Sequence, residues 1–109
     1  MLLLLLLACG KDADTAETAS GCADAAYDLN WLNFGDGFFG NYCRACHSAD
    51  TPERFDAPEG INFDTEDEVR ALASSIRNAV LEEGSMPVGG GVYEEDLELL
   101  DVYLSCAVE

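Results

Sequence analysis

Apolar residues fall at Val69, Leu72, Ala73, Ile76, Ala79 and Val80, three and four apart, the spacing of a helix that buries one face. Thr65 stands just ahead of this stripe with Glu68 three residues later. Together they form a capping box, in which each side chain satisfies an orphan backbone N–H. Gly84 is the natural stop. A second stripe, Leu97, Leu100, Tyr103, Leu104 and Ala107, predicts a helix from about Glu94 to Ala107. Its acidic first turn, Glu94-Glu95-Asp96, complements the positive end of the helix dipole. A third stretch, from about Tyr27 to Asn41, carries Leu29, Trp31, Leu32, Phe34, Phe38 and Phe39 but is interrupted by Gly35, Gly37 and Gly40. The glycines lower helix propensity, and the expectation is a helix only in the part leading into Cys43. Between the last two helices SMPVGGGV, Ser85 to Val92, reads as a loop. No strand-like alternation and no internal repeat interrupts this pattern, so the chain predicts an all-α domain of about three helices.

The first residues follow a different pattern. Six leucines after Met1 are too few to span a bilayer but suit the apolar core of an export signal. Leu6-Leu7-Ala8-Cys9-Gly10 resembles the lipobox of bacterial lipoproteins. The resemblance implies cleavage after residue 8 and lipid on Cys9, although no Lys or Arg precedes the leucines. A conventional signal peptide is the alternative. The following KDADTAETAS is small and polar, the composition of a disordered tether. The expected organisation is a signal at 1–8, a lipid-anchored tether at 9–21 and one folded domain at 22–109.

Charge narrows the partners. Twenty-two acidic residues against five basic ones give a net charge of −17, which disfavours nucleic acid and anionic surfaces and favours cationic partners or plain solubility. The five cysteines leave one unpaired unless some are used otherwise. If Cys9 carries lipid and Cys43 and Cys46 serve a cofactor, Cys22 and Cys106 remain. An oxidising compartment lets them pair.

The chemistry concentrates in NYCRACHSAD, residues 41–50. Zinc needs four ligands as a rule, and no second C-x-x-C pair accompanies Cys43 and Cys46. A thioredoxin-type dithiol expects a strand ahead of the motif, and no strand is predicted. Covalent haem attachment uses every position: two thiols for the two vinyl groups, and His47 next in line for the iron. Arg44 and Ala45 are then spacers. A second axial ligand is supplied by Met86, the one methionine besides Met1, beside Pro87 in the glycine-rich loop. His47 is the only histidine, which leaves His47/Met86, His47 with an open site, or a substitute such as Lys11 or a thiol.

With these residues the chain, from about Gly35 to Cys106, resembles the small monohaem cytochromes c. Gly35, Phe39 and Cys43, four apart, are similar to that family's glycine and aromatic on the helix entering the haem motif. Leu100 and Tyr103 are similar to the leucine and aromatic where its last helix crosses the first; Gly35 would then permit close helix approach and Phe39 would pack on Tyr103. The resemblance implies an all-α, cytochrome c-like bundle around one covalently bound haem c, with Met86 opposite His47. It leaves open which carbonyl orients His47 and which residues meet the propionates; Pro58 and Arg54 are the candidates. It implies an electron carrier rather than an enzyme; the lipobox-like signal adds a place at the periplasmic side of a bacterial membrane, lipid-anchored or soluble, and the acidic charge a redox partner with a basic docking patch. The family's lysine-rich docking face is missing here. Two alternatives stand: a haem enzyme or gas or redox sensor with an open sixth position, and a haem-free dithiol lipoprotein.

Overall fold

The computed structural model describes Cys22 and residues 28–108; the signal, Cys9 and the tether lie outside the described residues. Within them, helices are the only regular elements. They run together into three segments, as the periodicity predicts.

The first segment joins a π-helical opening, Trp31–Gly35, to an α-helix, Asp36–Tyr42. Asn30 caps it by accepting from the Asn33 N–H, and Asn33 returns the bond to the Asn30 N–H. This second capping box offsets the cost of three glycines in a short helix. The second segment runs through Glu66–Ala71, Ala73–Ile76 and Arg77–Glu82. Its start is the expected Thr65–Glu68 box, and beyond its end Gly84 takes a left-handed φ of 69°, the conformation that closes helices. The third segment comprises Glu94–Val102 and Tyr103–Ala107.

The core lies where the three segments meet. Phe39, Val69, Leu100, Tyr103 and Leu104 are its largest fully buried side chains. Gly35 is what allows the first and third segments to cross so closely. A Cβ there would stand 2.7 Å from the Tyr103 hydroxyl oxygen and 2.6 Å from a Trp31 ring carbon, well inside contact distance. The aromatic that meets Tyr103 ring to ring is Phe34, at 5.5 Å, where the sequence pointed to Phe39. Phe39 instead packs against Trp31, Phe38 and Phe63, in the same core.

Two tyrosine hydroxyls tie the segments together. Tyr42 donates to Asp96 at 2.7 Å and Tyr103 to Glu66 at 2.7 Å. The Asp96 hydrogen bond raises the Tyr42 pKa. Burial, with the Glu66 hydrogen bond second, raises that of Tyr103. A disulfide joins Cys22 to Cys106 with Cα atoms 5.5 Å apart, as cysteine parity anticipates.

Candidate functional site

The first helix does not stop cleanly at Tyr42. Cys43 and Arg44 both donate to the Phe39 carbonyl (3.0 and 2.8 Å), and the Cys46 and His47 N–H groups fold back on the Cys43 carbonyl (3.2 and 2.9 Å). The C-x-x-C-H motif is therefore a helical turn that extends the first segment and places His47 one turn beyond Cys43.

Arg44 is more than a spacer within that turn. Its guanidinium pairs with the Asp36 carboxylate, donates to the Asp36 carbonyl and lies 5.7 Å from the Trp31 ring centroid. It straps the motif to the helix from which it grows.

The motif opens onto a cavity of about 250 Å³. The end of the first segment contributes Phe39, Tyr42 and Cys43. The motif's His47 joins them, and the chain after it contributes Pro58, Ile61 and Phe63. The second segment supplies Leu72, Ser75, Ile76, Ala79 and Val80, and Met86 and Pro87 complete the wall. Three of the four residues expected to serve haem thus share one cavity. The fourth, Cys46, is half-buried and stands outside the wall.

The cavity explains a feature of the second segment. Of its apolar stripe, Val69 and Ile76 are buried, whereas Leu72, Ala73, Ala79 and Val80 are only half-buried. Leu72, Ala79 and Val80 belong to the cavity wall, so the stripe serves the core at some turns and the cavity at others.

Polar side chains in the wall are few and mostly committed. The Tyr42 hydroxyl is bonded to Asp96. His47 Nδ1 lies 2.9 Å from the Ile61 carbonyl; because a carbonyl only accepts, Nδ1 is the donor, and in the neutral ring Nε2 keeps its lone pair. The ring is flanked by Phe63 at 5.3 Å. Phe63 N–H in turn donates to the His47 carbonyl at 2.9 Å. Pro58 is not the residue that orients His47. Its carbonyl accepts instead from the Ile61 N–H at 3.1 Å and from Arg54.

The loop after His47 is fixed by its own bonds. The Ala49 N–H donates to Asp64 at 2.9 Å. The Ser48 hydroxyl and this N–H hold the Asp64 carboxyl below the usual carboxylate range.

Burial pushes the Cys43 thiol up to about 12, only partly opposed by the Arg44 charge. A metal-binding or nucleophilic cysteine needs the reverse, a thiolate stabilised at neutral pH. Cys22 and Cys106 are bonded to each other, and among the described residues no three His, Cys, Asp or Glu side chains gather as a metal site. The disulfide and the missing cluster weigh against the zinc reading, and the raised Cys43 thiol against a reactive dithiol.

Met86 enters the site from the loop. Its N–H and that of Ser85 donate to the Ala79 carbonyl at 3.2 and 2.9 Å, pinning the start of the loop to the second segment. Its side chain lines the cavity yet is 39% exposed, so it sits at the cavity's edge. Gly89, Gly90 and Gly91 follow with φ of 86°, 71° and 88°. That run of left-handed backbone is open to glycine and strained for other residues.

Comparison with family models, with characterised proteins and with solved structures gives no match for this chain. Among the described residues, no helix is long and apolar enough to cross a membrane.

Proposed function

We propose that the chain is a monohaem c-type cytochrome that carries electrons, with His47 and Met86 as axial ligands and Cys43 and Cys46 as the covalent anchors. The observation that carries this reading is the convergence of Cys43, His47 and Met86 on one cavity with an otherwise largely apolar wall. A porphyrin is a large apolar plate that needs such walls, one nitrogen ligand and, for a carrier potential, a thioether.

The residues fit the group. His47 is held as the Nδ1–H tautomer, which leaves Nε2 to bind a metal. Cys43 stands in the cavity wall, where its sulfur could reach a vinyl group at the ring's edge. Leu72, Ala79 and Val80 offer apolar surface to a ring face or edge. Bound haem supplies an iron that cycles between ferrous and ferric. The chain's part is to exclude water, fix the imidazole and present the thioether of Met86 at the cavity's edge.

The decisive measurement is the spectrum of the ferric protein after maturation in a periplasm. A red-region methionine-to-iron charge-transfer band is expected, and Met86→Ala should remove it and lower the reduction potential. A band that persists in the variant rules out Met86 as the ligand. A wild-type spectrum that lacks the band points instead to the open-site alternative.

The partner would be a redox protein with a basic patch. Of the four arginines in the described residues, Arg44, Arg70 and Arg77 each pair with a carboxylate, those of Asp36, Glu66 and Asp101 respectively. Arg54 is bonded to backbone carbonyls. With the cations of the described residues so engaged, their surface faces a partner with uncompensated acid groups. Raising ionic strength from low to moderate should slow association with the electron donor or acceptor by roughly tenfold or more. An unchanged rate removes the docking role of the acidic surface. The lipid anchor at Cys9 and a periplasmic location complete the proposal, on the strength of the lipobox-like stretch.

A further inference from the structure

The loop between the motif and the second segment winds around one side chain. Arg54 Nη1 donates to the Ser48 carbonyl at 2.7 Å and Nε to the Ala57 carbonyl at 3.2 Å. Nη2 donates to the carbonyls of Pro58 and Ile61, the latter at 3.1 Å. Four carbonyls along residues 48–61 thus converge on one planar fork, a task that suits guanidinium and no other side chain.

The backbone beside Arg54 shows what the fork restrains. Phe55 and Asp56 have φ of 52° and 72°, and left-handed backbone at a bulky residue such as Phe persists only where its surroundings impose it. Phe55 is 69% exposed, so packing of its own ring is a poor candidate for that restraint. The Ala57 N–H closing on the Arg54 carbonyl at 3.0 Å and the fork of Arg54 supply it.

One of the four carbonyls belongs to the functional site. The Ile61 oxygen accepts from His47 Nδ1 at 2.9 Å and from Arg54 Nη2 at 3.1 Å, using both of its lone pairs. The Ser48 carbonyl, held by the same guanidinium, belongs to the residue that follows His47. Arg54 therefore grips the chain on both sides of the imidazole: directly behind it in sequence, and at its hydrogen-bond acceptor 14 residues away.

We propose that Arg54 is the positioning residue for His47: by holding the Ile61 carbonyl in place it fixes the imidazole as the Nδ1–H tautomer, with Nε2 free for a metal. As a role toward haem this rests on the reading above; as a statement about the imidazole it does not. Partners of this kind around a metal-binding histidine set its orientation and basicity.

The test is nitrogen-15 NMR of the full mature chain, wild type against Arg54→Gln and Arg54→Lys. In the ferrous haem protein, solvent exchange of the His47 Nδ1–H should accelerate roughly tenfold in Arg54→Gln, the scale of one lost charge-assisted hydrogen bond. Arg54→Lys keeps the charge but loses the fork, and should exchange as fast as Arg54→Gln. The core amides of Val69 and Leu100 should keep their wild-type rates in both. Three results overturn the proposal: an unchanged Nδ1–H rate in Arg54→Gln, a wild-type rate in Arg54→Lys, or acceleration of the Val69 and Leu100 amides by the same factor, which marks a general loss of stability. If the wild-type chain matures without haem, the haem reading fails while Arg54 is still judged. The wild-type spectrum must then show the Nδ1–H tautomer and Arg54→Gln a shift toward Nε2–H. A wild-type ring protonated at Nε2 overturns the assignment.

Discussion

Replacing Cys43 and Cys46 together by alanine is expected to abolish covalent haem completely. On a denaturing gel stained for haem, the wild-type protein matured in a periplasm should give a stained band and the double variant none. The fold should suffer as well. The first segment carries three glycines, and Leu72, Ala79 and Val80 of the second segment line the cavity and are only half-buried. Without a bound ring, that surface adds little to a core already small for a domain of this size. Helix content by circular dichroism should therefore fall in the double variant. The single variants are expected to differ, because Cys43 lines the cavity and Cys46 does not; Cys43→Ala should lose more of the stain. A wild-type band without stain would falsify the haem reading outright, and a haem-free chain with full helix content would separate folding from the cofactor.

The second large effect belongs to the disulfide. Cys22 and Cys106 close a loop with a sequence separation of 84, and a cross-link of that span restricts the unfolded chain by about 4 kcal/mol on the chain-entropy model. Cys22→Ser with Cys106→Ser should lower the urea midpoint by roughly 1–4 M and raise the slope, because the unfolded chain without the cross-link is less compact. Because Cys106 is exposed, a reductant should reach the bond and reproduce the shift in the wild-type protein. Equal midpoints for the oxidised, reduced and doubly substituted proteins would show that the bond contributes nothing.

The second and third segments were legible because their signals are local. A capping pair at Thr65 and Glu68, an apolar stripe and a glycine stop all act within a turn or two of the residues that carry them. The first segment was harder, since its glycines argue against a helix while the Asn30–Asn33 box argues for one. Asparagine three residues from asparagine is a readable cap, and its weight was missed. Gly35 was read as a point of close approach, which the Tyr103 contact bears out; its aromatic partner was misjudged because Phe34 and Phe39 both lie near the crossing.

The site divided in the same way. The motif and Met86 stand out from spacing and scarcity alone. The carbonyl that orients His47 does not, because it depends on the path of a loop with no periodicity, in which Pro58 and Ile61 are near neighbours in sequence. Arg54 was named as a candidate, but not as a holder of carbonyls. Only the path of the chain reveals four carbonyls turned toward it. Arg44 was hidden for a related reason: a residue between two cysteines draws attention to the spacing rather than to itself.

The disulfide also bears on how the domain responds to a protease. Exposed loops such as 49–60 and 84–91 are where cleavage concentrates, and each lies between Cys22 and Cys106. A single cut in either loop leaves the two pieces covalently joined, with the motif and the Met86 loop on one connected molecule. Such a nicked domain would run as one species until it is reduced. One cut alone cannot shed half of the site.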